Sequence, residues 1–206
     1  MEQKKLRVAV IGAGGWGYQH ARAFSGRSDT ELVAIAGRTQ ERTAKRAAEF
    51  KVPFYLSVPE LLEKEKPDFV SLCLPAQHTF ETTMAIIEAG IPLLSEKPIA
   101  YKLEEARALV AKAEEKNLFY AIDFNQRYSI PCLKAKQAID EGRLGRPVFA
   151  HWRFGHGWDT PYLDHPYLNL IEAQCHGLDL LEHLCGPIRS CMAEMTDNGG
   201  RKKIFP

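Results

Sequence analysis

Two clusters of side chains carry most of the chemistry legible in this chain. Glu172, His176, Asp179 and His183 follow one another at spacings of four, three and four. At about 3.6 residues per turn, these spacings place all four on one narrow stripe of a helix. A carboxylate one turn before an imidazole can fix its tautomer and raise its basicity, as a proton shuttle requires. Three alternatives compete with a fully functional stripe. It could be ordinary polar surface, although it carries no Lys or Arg. It could be a metal site of two imidazoles and two carboxylates. Or Asp179 and His183 could be structural while the Glu172–His176 pair acts, and this last reading is preferred. The second cluster is Glu96-Lys97-Pro98, directly after the apolar run Pro92–Ser95. A lysine at the end of a buried strand can hydrogen-bond a substrate hydroxyl or carbonyl. Burial of such an ammonium also disfavours its charged form and eases proton exchange. A surface Glu–Lys pair before a turn is the plainer alternative.

A glycine-rich turn tips that balance. Gly12-Ala13-Gly14-Gly15-Trp16-Gly17 satisfies G-x-G-x-x-G between a strand pattern and a helix pattern, the context that gives the motif meaning. Gly12 allows the tight turn, Gly14 lets the backbone approach a pyrophosphate, and Gly17 lets helix and strand pack closely. The unpaired N–H groups at the helix start, around Gly15 and Trp16, then meet the phosphate charge. The second strand pattern ends Ala36-Gly37-Arg38-Thr39, with no carboxylate to hold a ribose 2′-OH. Arg38 can instead fork onto a 2′-phosphate, and Thr39 can add a hydroxyl. The sequence therefore leans towards NADP over NAD, unless Arg38 only stacks on adenine or is solvated.

The elements that must position these residues alternate regularly. Strand patterns cover 6–11, 31–36, 54–56, 68–74, 92–95 and 119–123, and helix patterns cover 16–25, 40–50, 58–66, 78–89 and 103–116. Such alternation, with continuous apolar strands, predicts an α/β fold: a doubly wound parallel Rossmann sheet covered on both faces. This dinucleotide-binding domain is expected to span 1–123. From 124 the pattern changes to a helix over 130–141, a strand over 147–154, an aromatic Gly/Pro-rich stretch containing Trp158, Tyr162 and Tyr167, and a helix over 170–185. Residues 124–206 are read as a second, incomplete α+β domain for substrate and oligomer contacts. Its aromatic stretch could form a carbohydrate-facing wall or pack on itself.

Composition narrows the partners. The chain of 206 residues carries 27 basic and 26 acidic side chains, so nothing favours nucleic acid or an anionic membrane. Its longest early apolar run, Leu6–Ile11, is too short for a signal core or a membrane span. Five cysteines without a CxxC fit reduced thiols better than disulfides or structural zinc. A soluble, cytoplasmic protein is expected.

Taken together the motifs resemble the Gfo/Idh/MocA family of oxidoreductases over nearly the whole chain. The segments are VAVIGAGGWG, SLCLPAQHTFETTMAIIEAGIPLLSEKPIA, DFNQRYSIPCLKAKQAIDEGRLGRPV and IEAQCHGLDLLEHLCG. The resemblance implies that Lys97 lies beside the nicotinamide and polarises substrate, with Pro98 after a cis peptide bond. It implies that His176 is the general acid/base, assisted by Glu172. Gly12, Gly14, Trp16 and Gly17 would line the diphosphate, and Arg38 the adenosine end. Pro75, His78 and Glu96 would lie on the nicotinamide ribose side, and Asn125 and Arg127 near the domain junction. Three departures stand out. Position 172 is Glu where many members have Asp. Position 37 is Gly where NAD-using relatives carry Asp. The chain stops at Pro206, soon after 189–195 could begin a strand, whereas the family's open sheet continues. A truncated member with exposed strand edges is expected, homo-oligomeric in its full-length relatives.

The implied activity is hydride transfer between a nicotinamide cofactor and a sugar, polyol or related hydroxy compound, with no resident metal. Two rivals are a non-catalytic NADP-binding protein and a glycoside hydrolase that uses nicotinamide transiently.

Overall fold

Six apolar runs pair into a single parallel sheet. They are β1 (Leu6–Ile11), β2 (Thr30–Ala36), β3 (Phe54–Tyr55), β4 (Phe69–Leu72), β5 (Leu93–Glu96) and β6 (Tyr120–Asp123). Their order across the sheet is β3-β2-β1-β4-β5-β6. The order reverses direction between β1 and β4, which makes the crevice at their carboxyl ends the switch point of a doubly wound sheet. These coordinates are a computed structural model that describes residues 4–153 and 174–193. The chain divides into two compact units, Met1–Asp123 and Phe124–Pro206.

In the first unit the helices α1 (Gly15–Ser25), α2 (Gln40–Phe50), α3 (Val58–Glu65), α4 (Thr79–Glu88) and α5 (Leu103–Glu115) connect the strands. Branched side chains leave both sheet faces in need of cover. One face buries Val10, Leu32 and Ile35 with Ala21 and Ala47, while the other buries Ile11, Val70, Leu72 and Leu93 with Ile86, Ile87 and Leu109. That two-sided burial explains why the strands read as continuous rather than alternating. Local chemistry sets the ends. Ser57 Oγ accepts the Glu60 N–H at the start of α3, and Gly90 takes a left-handed φ of +73° after α4.

Some boundaries differ from the sequence expectations. The 68–74 strand ends at Leu72, and the chain runs through Pro75, which lacks an N–H, into a 3-10 turn at Ala76–His78. Helix α4 therefore begins at Thr79 rather than His78.

The second unit contains a 3-10 turn at Asn125–Tyr128, α6 (Ile130–Asp140) and α7 (Cys175–Cys185). The strand expected over 147–154 is not formed over its described part, 147–153. Val148 and Phe149 are 99% and 85% exposed there, and no described segment lies alongside to satisfy their backbone groups. Likewise 189–193 forms no strand. Glu172, Trp158, Tyr162 and Tyr167 lie outside the described residues. Among the described residues no helix is long and apolar enough to cross a membrane.

Candidate active site

The glycine turn has the shape its spacing requires. Gly12 has φ +126°, and a Cβ there would lie 2.2 Å from the Cys73 carbonyl oxygen. A Cβ on Gly17 would lie 1.7 Å from the Gly12 carbonyl oxygen. Gly12 must be glycine for the turn to pass the Cys73 carbonyl beyond β4, and Gly17 must be glycine for α1 to pack on the turn. At Gly14 and Gly15 nothing lies within 4 Å of the added Cβ, so the start of α1 faces open space. Its first turn carries no acidic residue, and Trp16 is exposed beside it. This cradle fits a dinucleotide diphosphate on both shape and charge.

Next to the cradle lies a cavity of about 350 Å³ lined by Gly14, Gly15, Arg42, Lys45 and Arg46, among others. Arg46 lies 4.5 Å over the Tyr18 ring and pairs with Glu49 at 2.7 Å. Arg38 and Thr39 follow β2. Arg38 Nη1 is 3.2 Å from His78 Nε2, so the segments that follow β2 and β4 meet across the crevice. Gly37 is tightly enclosed: a Cβ there would come 2.5 Å from Thr43 Oγ1 and 3.0 Å from the Ala13 Cβ. Pro75 and His78 flank the 3-10 turn after β4. Glu96 ends β5, Lys97 follows it, and the Lys97–Pro98 peptide is cis. The cofactor-side residues proposed from sequence thus all fall at the carboxyl edge of one sheet.

Sequence reasoning missed His20. It lies on the buried face of α1 with Gly17 and Ala21. Its Nδ1 is 2.7 Å from Ser71 Oγ, and its Nε2 is 3.3 Å from both Glu96 Oε1 and Asp123 Oδ2. Burial pulls its pKa down, but hydrogen bonds to Asp123, Cys73 and Glu96 more than reverse this, to about 12. Burial pushes the Cys73 thiol up, which keeps it protonated. Ligand atoms of His20, Glu96 and Asp123 lie within 4.8 Å of one another, close enough to hold a metal ion as well as a proton. The available signal was the i, i+3 spacing from Gly17, which turns position 20 towards the sheet.

In the second unit His176 lies in the first turn of α7, edge-on to Phe124 with ring centroids 6.0 Å apart. Gly177 lets this helix close on Trp152, whose indole Nε1 would lie 2.3 Å from an added Cβ. Asp179 is buried and paired with Arg127. Of the expected stripe, Asp179 is therefore engaged within its own unit.

A parallel sheet in this order, with a glycine cradle at the switch point, defines a dinucleotide-binding Rossmann protein. The family model described as "Oxidoreductase family, NAD-binding Rossmann fold" matches residues 6–124, and the GFO/IDH/MocA C-terminal domain model matches 132–203. The chain belongs to the GFO/IDH/MocA oxidoreductase family. It is 32% identical to D-glucoside 3-dehydrogenase of Escherichia coli over 70% of this chain and 42% of that protein. It is 26% identical to scyllo-inositol 2-dehydrogenase (NAD(+)) of Bacillus subtilis over 98% of this chain and 59% of that one. The chain thus spans about half the length of these curated relatives. Among solved structures, an oxidoreductase from Agrobacterium radiobacter in complex with NAD+, L-tartaric acid and magnesium superposes with TM-score 0.80. It shows 23% identity and covers 89% of this chain and 55% of that one. The myo-inositol 2-dehydrogenase of Lactobacillus plantarum gives 0.76 at 22% identity, over 89% and 57%. These two likenesses establish the fold.

Proposed function

We propose that the chain forms the nucleotide-binding and catalytic part of a dehydrogenase that acts on a sugar, polyol or related hydroxy compound and prefers NADP(H). The observation that carries this reading is Lys97, at the end of β5 on the same sheet edge as the glycine cradle. Relatives named as glucoside and inositol dehydrogenases support the substrate class. The preference for NADP rests on Arg38, on the absence of a carboxylate at Gly37 and on the cationic lining supplied by Arg42, Lys45 and Arg46.

A bound nicotinamide would supply or accept the hydride, and the protein's part is to bind, orient and move protons. The N–H groups at the start of α1 hold the diphosphate. The Lys97 ammonium holds the reacting substrate oxygen and stabilises charge as it develops there. His176 takes the hydroxyl proton during oxidation and returns it during reduction, with Glu172 orienting its ring.

The test is a titration of the purified chain with NADPH and NADH, followed by nicotinamide fluorescence, and then a polyol and sugar screen. Tighter NADPH binding is expected, together with turnover that Lys97→Met and His176→Ala abolish without loss of cofactor binding. Near-full activity in either variant would remove its residue from the mechanism. Binding without turnover on any substrate would make the chain a nucleotide-binding module instead.

A further inference from the structure

His20 is a buried ionisable group that the reaction above leaves unused. It is 8% exposed and faces groups from three strands. These are Ser71 of β4 with Cys73 just beyond it, Glu96 of β5, and Asp123 of β6. The parallel register of β5 and β6 sets Glu96 beside Asp123. Two carboxylates side by side, Glu96 buried and Asp123 half-buried, repel, and a cation between them resolves the conflict. His20 Nε2 stands 3.3 Å from an oxygen of each. An imidazolium donates through both nitrogens, which accounts for these contacts and for the 2.7 Å approach of Nδ1 to Ser71. The second oxygen of Glu96, Oε2, accepts the backbone N–H of Lys97 at 3.2 Å. A continuous line of contacts therefore runs from α1, which carries the glycine cradle, to the backbone of Lys97.

We propose that His20, as an imidazolium, is a positioning residue for Lys97: it pins the Glu96 carboxylate between itself and the Lys97 N–H. This rests on the reading of Lys97 as the substrate-holding lysine. The imidazolium also locks the ends of β5 and β6 together, so that binding at the cradle and orientation at the strand end share one rigid support. Its raised proton affinity keeps the clamp charged across the neutral range.

The test combines histidine nitrogen NMR with hydrogen exchange at the Lys97 amide, in the wild-type chain, His20→Gln, and His20→Gln with Asp123→Asn. The wild-type His20 ring is expected to stay doubly protonated to beyond about pH 9, far above an ordinary imidazole. In His20→Gln the Lys97 amide should exchange about tenfold faster, while amides of β1 are unchanged. The double variant removes the charge conflict and should recover most of that protection, which a merely space-filling role would not. A neutral His20 ring at pH 7, or unchanged exchange at Lys97, overturns the proposal. So does a stoichiometric metal that is lost in His20→Gln. If the chain turns over substrate, His20→Gln should lower kcat by up to about 100-fold, with the cofactor KM little changed. A wild-type chain without turnover counts against the dehydrogenase reading, and the exchange data still decide the clamp.

Discussion

Arg127 grips Asp179 from one side: its Nε donates to Oδ2 at 2.8 Å and to Oδ1 at 3.0 Å, and its Nη2 also reaches Oδ1. Asp179 is buried on α7, three residues after His176. The ion pair therefore anchors the helix that presents the proposed acid/base to the segment just after β6.

Removing the guanidinium should leave a buried carboxylate without its counter-charge. Arg127→Ala is expected to destabilise the chain by about 2 kcal/mol, and Arg127→Lys by less, because lysine keeps the charge but loses the fork. Urea unfolding of the three proteins checks the order. Equal stability would show that the pair contributes nothing net.

The glycines of the turn should separate folding from binding. Gly17→Ala drives a Cβ to 1.7 Å from the Gly12 carbonyl oxygen, so a loss of about 3 kcal/mol is expected, with cofactor binding lost as well. Gly14→Ala meets open space and should fold normally, yet bind cofactor poorly, because its methyl would stand where a diphosphate approaches. Thermal melts alongside nucleotide titrations distinguish the two.

Charge at His20 predicts a pH dependence. Its pKa is raised from 6.5 to about 12 on folding. A raised pKa contributes stability that is fully present below the unfolded value and lost as pH rises through the folded one. The wild type should therefore lose its advantage over His20→Gln steadily above about pH 6.5, by at most about 1.4 kcal/mol per pH unit. Paired unfolding curves between neutral and alkaline pH measure the difference. A constant gap would show that the ring carries no charge.

Cofactor choice should depend on Arg38 and on the space around Gly37. Arg38→Ala is expected to weaken NADPH about tenfold and NADH little, the loss of one charge-assisted contact. Gly37→Asp alone should impair both cofactors, since its Cβ would meet Thr43 Oγ1 at 2.5 Å. Adding Thr43→Ala removes that clash and leaves only the 3.0 Å approach to the Ala13 Cβ, which a shift of a few tenths of an ångström relieves, so preference should move towards NADH. Thr43 Oγ1 also donates to the Thr39 carbonyl oxygen at 2.7 Å, so the double variant should be about 1 kcal/mol less stable.

Much of the first unit was legible because its rules are local. Period, branched residues and glycine position specify where β1 ends, that a helix follows the glycine turn and why α4 stops before Gly90. The motif G-x-G-x-x-G located the cradle, and Glu96-Lys97-Pro98 located the end of β5. Tertiary structure decided which distant side chains meet. Nothing local brings His20 to Ser71, Glu96 and Asp123, at separations of 51, 76 and 103 residues. The sheet order and the β5–β6 register do so by setting two carboxylates side by side over the inner face of α1. The same holds for Arg127, whose partner lies 52 residues away. The alternating character of 147–153 suggested a strand, but a strand forms only where a neighbour takes up its backbone hydrogen bonds. Sequence thus determined the elements of the first unit and the placement of its motifs at strand ends. Only the three-dimensional packing determined which buried charges are neutralised, because that depends on groups brought together by the fold.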